Sequence, residues 1–91
     1  MSVRLRLFYP ALERLIGRPD DVLVEGTTVG ECLEDVVRRF PDARGLLFDT
    51  RGVLLKPVYV FVNAESMFKA ELTKPLSERD ELIVAVLATG G

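Results

Sequence analysis

The chain closes on Leu82-Ile83-Val84-Ala85-Val86-Leu87-Ala88-Thr89-Gly90-Gly91, an unbroken apolar run followed, after one threonine, by two residues without side chains. Such an ending presents a thin, conformationally free carboxylate that fits a narrow channel in another protein, where any Cβ would collide. The working group it suggests is the Gly91 carboxylate, with Gly90 and Thr89 leading to it; a frayed polar tail is the alternative. Few other residues compete for a chemical role. The chain has no His, so neither a serine triad nor a Cys-His nucleophile pair can be assembled, and no G-x-S-x-G, P-loop or G-x-G-x-x-G pattern occurs. The single Cys32 cannot form an internal disulfide and, without histidines, cannot build a zinc site. Asp20-Asp21 and Glu34-Asp35 are acidic neighbours of the kind used in acid–base chemistry. Glu34 and Asp35, however, are expected on the solvent face of a helix, as solvated charges. The chain is expected not to be an enzyme on its own.

At 91 residues there is room for one domain, spanning 1–91, with 88–91 as a flexible C-terminal tail. A domain of this size buries roughly 60 to 65% of its unfolded surface. A content of 48% hydrophobic and 29% charged residues is that of a compact globular protein. Twelve basic and fourteen acidic residues give a net charge of −2, and no Lys/Arg cluster is present to follow a phosphate backbone, which argues against nucleic acid. The longest apolar stretch, Leu82 to Ala88, is seven residues, against about 18 needed to span a bilayer. Met1-Ser2-Val3-Arg4 leads into alternation and not into a signal-peptide block, so a cytoplasmic protein with no membrane partner is expected.

The elements that would position the C terminus follow from periodicity. Val3, Leu5 and Leu7 alternate with Arg4, Arg6 and Phe8, which predicts a strand over 2–9 ended by Pro10. Pro10 to Gly17 predicts a short helix with Leu12, Leu15 and Ile16 on one face. Residues 20–26 predict a second strand, returning antiparallel to the first. Thr28-Val29-Gly30-Glu31 fits a capping box, in which the Thr28 hydroxyl and the Glu31 carboxylate satisfy each other's backbone N–H groups. Val29, Cys32, Leu33, Val36, Val37 and Phe40 then define the apolar stripe of a helix over 29–40, with Cys32 as a small buried hydrophobe. Residues 42–56 fit either a short hairpin about Asp49-Thr50-Arg51-Gly52 or a loop. Val58 to Val62 predicts a strand closed by Asn63, Met67-Phe68 a brief edge strand, and Glu81 to Leu87 the last strand. The order describes an α+β fold, a mixed sheet of four to five strands with one main helix packed on one face.

Alternation along the last strand then sends Ile83, Ala85 and Leu87 away from the helix if Leu82, Val84 and Val86 face it. The same parity puts Phe8 on the outer face beside Arg4 and Arg6. An apolar stripe on a face that is normally polar implies a docking surface. The 41–56 segment folding over it, or reversed parity, would remove that surface. Tyr59 or Phe61 could join it, but a strand apolar on both faces does not reveal which.

These parts together resemble a known group. Val3 to Tyr9, Ala11-Leu12-Glu13-Arg14-Leu15-Ile16-Gly17, the helix after Thr28, Pro57 to Asn63, Pro75-Leu76, Asp80-Glu81-Leu82 and the Gly90-Gly91 end are similar to the prokaryotic ubiquitin-like sulfur carriers. That group includes the small subunit of molybdopterin synthase and the thiamine-type and cysteine-type carriers. The resemblance implies a β-grasp fold with no bound cofactor. It further implies an activating, ubiquitin-activating-like adenylyltransferase that uses ATP to adenylate Gly91, after which persulfide sulfur leaves a thiocarboxylate there. Thr89 and Gly90 would thread the channel, and Phe8, Phe61, Ile83, Ala85 and Leu87 would form the partner-binding surface. The expected role is that of sulfur donor to the large subunit of molybdopterin synthase, in molybdenum or tungsten cofactor biosynthesis. Carriers for cysteine, thiamine or other synthesis, a ubiquitin-like modifier of lysines, and a plain binding module are the alternatives. Two features depart from the molybdopterin type: no Pro-Pro precedes Gly90-Gly91, and the usual Gly-Asp turn before the last strand is Arg79-Asp80, which predicts a different turn.

Overall fold

The alternation of Val3, Leu5 and Leu7 with Arg4, Arg6 and Phe8 becomes strand β1, Ser2–Phe8, in the computed structural model, which describes residues 1–17, 22–64 and 69–86. The three aliphatic residues are buried, and Arg4, Arg6 and Phe8 are exposed. Helix α1, Pro10–Ile16, follows with Pro10 in its first turn. It ends at Gly17, whose left-handed φ of 85° lets its N–H donate to the Glu13 carbonyl. Strand β2, Val22–Glu25, returns antiparallel to β1 with Val3 opposite Val24. Helix α2, Val29–Arg39, lies beyond it, and strands β3, Val58–Val62, and β4, Glu81–Val86, complete the sheet.

The strand order is β2-β1-β4-β3, with β4 parallel to β1 and antiparallel to β3. The strand that leads toward Gly90-Gly91 is thus a central one, held on both sides. Met67-Phe68, where an edge strand was expected, lies outside the described residues. The described sheet has four strands crossed on one face by α2, the layer arrangement expected from the periodicity.

The apolar stripe of α2 closes the core: Val29, Cys32, Leu33, Val36 and Val37 are buried against Val3, Leu5, Val24, Val60, Leu82 and Val84. Burial pushes the Cys32 thiol up to about 11, with the Asp35 and Glu31 carboxylates adding to the effect, so it stays protonated and inert. Its packing partner is Gly26, where a Cβ would stand 2.8 Å from the Cys32 backbone nitrogen and 2.9 Å from Glu31 Cβ. Gly26→Ala should therefore destabilise the chain by about 1–3 kcal/mol, seen as a lower urea midpoint at unchanged m-value.

The capping box forms with one change of partner. The Glu31 N–H donates to the Thr28 hydroxyl at 3.1 Å, and the Glu31 carboxylate accepts chiefly from the N–H and hydroxyl of Thr27, at 2.7 and 2.8 Å. The Val29 and Gly30 N–H groups, which no helical carbonyl can reach, donate to the Lys74 and Leu72 carbonyls.

The 42–56 segment is neither a simple hairpin nor a loop. Pro41–Ala43 form a 3₁₀ turn and Arg44–Leu47 a short helix, α3, before a single bridge between Phe48 and Leu54 about the expected turn. The Tyr9 hydroxyl donates to the Leu46 carbonyl at 2.8 Å and fastens α3 to the end of β1. The Asp49 carboxylate shapes the turn by accepting from the Arg51 and Val53 N–H groups at 2.8 and 3.0 Å. Ala43, Leu47 and Phe48 enter the core, so the segment packs on the side of the sheet that carries α2.

Asp35 does not lie on the solvent face as expected. It is 7% exposed, and its Oδ2 accepts from the Glu25 N–H at 3.0 Å and contacts Arg39 at 3.1 Å, while Oδ1 pairs with Arg38. The cause is the free edge of β2, whose outward backbone groups need partners. Burial alone would raise the Asp35 carboxyl, but the Glu25 N–H and the two guanidinium groups outweigh it and hold it below its ordinary range. Glu34 does face solvent, paired with Arg44 at 2.9 Å.

The turn before β4 differs from a Gly-Asp turn as anticipated. The Asp80 carboxylate accepts from the Ser77 N–H at 2.9 Å and from the Asn63 side chain at 3.0 Å. Among the described residues the non-glycine with positive φ is Asn63, at 69°, not Arg79. Asn63 closes β3, its side-chain oxygen accepting from the Glu81 N–H at 2.9 Å, and so ties the end of β3 to the start of β4.

Candidate functional site

Pleat parity and register carry the outer face of the sheet across three strands. Phe8 on β1 stands opposite Ala85 on β4, which stands opposite Tyr59 on β3; the next rung is Arg6, Ile83 and Phe61. Ala85, the smallest side chain, lies between two aromatics, which makes the middle of the face a trough. Ile83 forms its floor at 7% exposure, whereas Phe8 on its wall is 53% exposed. The depression has a volume of about 450 Å³ and is lined by Arg6, Phe8, Phe61, Asn63, Ala64, Ile83 and Ala85.

Of the residues expected at a partner-binding surface, Phe8, Phe61, Ile83 and Ala85 are thus brought onto one face. Leu87, Thr89, Gly90 and Gly91 lie outside the described residues. The choice between Tyr59 and Phe61 resolves as both: Val58, Val60 and Val62 are the buried set, and the two rings stack with centroids 6.4 Å apart. The 41–56 segment does not cover the trough, since it packs on the α2 side.

Parity alone did not single out the cations laid over the aromatic rings of this face. The Arg6 guanidinium lies 5.3 Å from the Phe8 ring centroid, and Lys69 Nζ lies 4.7 Å from that of Tyr59. Both are cation–π arrangements that hold a positive charge over an aromatic wall. Arg6 also approaches Glu81 at 3.8 Å, a loose contact between partly exposed groups. Leu23 on β2, 54% exposed, extends the apolar surface beside Arg4; its place in a four-residue edge strand gave no strong periodic signal.

Among the described residues no group of three or more His, Cys, Asp or Glu side chains is placed to hold a metal ion. No described helix is long and apolar enough to cross a membrane. The arrangement suits recognition: an apolar trough walled by Phe8 and Phe61 with Arg6 in its lining, on the central strand β4.

No protein-family model matches the chain, and no curated protein matches its sequence. Solved structures do. SAMP1 from Haloferax volcanii, a small archaeal modifier protein, superposes with a TM-score of 0.82 at 28% identity, covering 100% of both chains. The BexX/CysO complex of Amycolatopsis orientalis matches with a TM-score of 0.75 at 26% identity, over 96% of this chain and 99% of that one. CysO of Mycobacterium tuberculosis, at 21% identity and a TM-score of 0.74 over 93% of this chain and 100% of its own, shares the fold.

Proposed function

We propose, for a β-grasp chain of the prokaryotic ubiquitin-like sulfur carrier family, that it carries sulfur as a thiocarboxylate on Gly91. The Gly91 carboxylate attacks the α-phosphate of ATP in a ubiquitin-activating-like adenylyltransferase, releasing pyrophosphate and forming a mixed anhydride. The terminal sulfur of a persulfide then attacks that carbonyl and AMP departs. A thiol cleaves the resulting S–S bond, leaving a disulfide and a thiocarboxylate. The sulfur anion is the donor, and the acceptor enzyme supplies the substrate site. The acceptor in this proposal is the large subunit of a molybdopterin synthase, with a cysteine-type, thiamine-type or other biosynthetic enzyme as the alternative.

The observation that supports the proposal is the Gly90-Gly91 sequence, which follows the central strand β4 after three intervening residues, together with the apolar trough on that strand's outer face. The test is pyrophosphate release from ATP by purified adenylyltransferases encoded in the same genome, with and without the chain. Release that depends on the chain is expected; none with any of them would refute the proposal.

The likeness to a small archaeal modifier protein favours a second reading, in which the activated Gly91 forms isopeptide bonds with lysines of other proteins. Higher-mass conjugates in lysate that vanish when Gly91 is deleted would support it over sulfur transfer.

A further inference from the structure

We propose that Pro10 and Pro57 are positioning residues for the reaction at Gly91, an inference that rests on the carrier function proposed above. They end both neighbours of β4 at one rung and so keep the last residues of the chain out of the sheet. The sequence of β4 contains no stop of its own. Leu87 continues its apolar run and Thr89 is β-branched, so a strand can run on toward the glycines. The described ladder pairs Ala85 with Phe8 on β1 and Val86 with Val58 on β3. Carried on, the parallel register counts up from Phe8 and Ala85 to positions 10 and 87, and the antiparallel register moves from Val58 and Val86 to positions 57 and 87. Position 87 would thus meet Pro10 on one side and Pro57 on the other.

Both prolines stand where a donor would have to point at β4. Backbone groups alternate in direction along a strand. The Met1 carbonyl accepts from the Gly26 N–H on the β2 side, so the odd positions of β1 face β2 and the even ones, extended to position 10, face β4. At the end of β3 the Asn63 N–H donates to the Glu81 carbonyl, so the odd positions there, extended back to 57, face β4. A longer ladder therefore needs an N–H at position 10 for the Val86 carbonyl and an N–H at position 57 for the carbonyl of residue 87. Proline supplies neither. Each proline also has a local role: Pro10 opens α1, and Pro57 lies in the turn closed by the Val58 N–H on the Leu55 carbonyl at 3.0 Å. Those roles alone do not require both to face the same residue of the last strand.

Release from the sheet sets how far the Gly91 carboxylate can travel. Residues 87–91 extend at most about 17 Å beyond the ladder; with 87 and 88 paired, the remaining three extend about 10 Å. A chain whose end is paired is also withdrawn from the population that the adenylyltransferase can bind, and its apparent affinity falls by that fraction. Both prolines are exposed, so each can be replaced without opening the core.

The test compares the full wild-type chain with Pro10→Ala, Pro57→Ala and the double variant. Pyrophosphate release with the adenylyltransferase and ATP should show the KM for the chain raised about tenfold in the double variant at unchanged kcat, since two added hydrogen bonds favour the paired end. Hydrogen exchange should show the Leu87 and Ala88 amides exchanging more slowly in that variant than in wild type. Prolines that serve only α1 and the turn would produce neither change. Should the double variant lack a cooperative thermal transition, the single variants are read by the same two measurements, with a rise in KM of about threefold expected. An unchanged KM or unchanged exchange, with wild type adenylated, would overturn this inference and leave the carrier function standing. Failure to adenylate wild type would overturn both.

Discussion

Asp35→Ala is expected to lower stability by about 2–3 kcal/mol, the loss of a buried, charge-assisted hydrogen bond whose donor is then left without a partner. The effect traces to the edge of the sheet. β2 is an outermost strand, and the Gly26 N–H points back toward β1, donating to the Met1 carbonyl. Backbone groups alternate along a strand, so those of Leu23 and Glu25 point outward. Asp35 accepts from the Glu25 N–H, and Arg39, paired to Asp35 at 3.1 Å, donates to the Leu23 carbonyl. Two side chains of α2 therefore cover the edge that another strand would otherwise use. The variant should show a lower urea midpoint and, at high concentration, self-association by sedimentation. A monomeric variant with an unaltered midpoint would contradict this role. The pH dependence has a defined sign. The Asp35 carboxyl is held below its ordinary value in the folded chain, so its contribution is complete above the ordinary carboxyl range and is lost as pH falls through the folded value. The stability gap between wild type and Asp35→Ala should narrow on acidification through that window.

Adding a single alanine after Gly91 is expected to lower the rate of adenylation at least about 100-fold, because a displacement of even an ångström at a reacting centre costs that much. The added residue moves the carboxylate outward by a whole residue and places a Cβ where the pair of glycines had none. The described sheet ends at Val86, so the extension should leave the thermal midpoint unchanged. Pyrophosphate release measured on the extended and native chains separates the two effects. Equal rates would mean that the trough is a binding surface and the glycines take no part in activation.

Much of this arrangement was legible in the residues. The 3.6-residue stripe of α2 and the alternation of β1 each match one buried face, so their signals were unambiguous. Alternation of β4 also placed Ile83 and Ala85 beside Phe8. The remaining features depend on neighbours distant in sequence. Asp35 sits among charged residues and reads as solvated, yet the β2 edge, ten residues earlier in the chain, draws it inward. Leu46-Leu47-Phe48 has the look of a strand, but the Tyr9 hydroxyl and the burial of Leu47 fix a helical turn. Tyr59 and Phe61 were separable from Val58, Val60 and Val62 only once pairing with β4 set their face. Lys69 lies ten residues beyond Tyr59 in number, and only the fold lays it over that ring.

The central claim, that Gly91 is the group that carries sulfur, is tested most directly by intact and fragment mass spectrometry of the chain. The sample is the chain after incubation with ATP, its adenylyltransferase and a persulfide donor. The predicted product has one oxygen replaced by sulfur, located by fragmentation at Gly91. An unchanged mass when adenylation has been verified, or sulfur added at Cys32 with the Gly91 carboxylate intact, would contradict it.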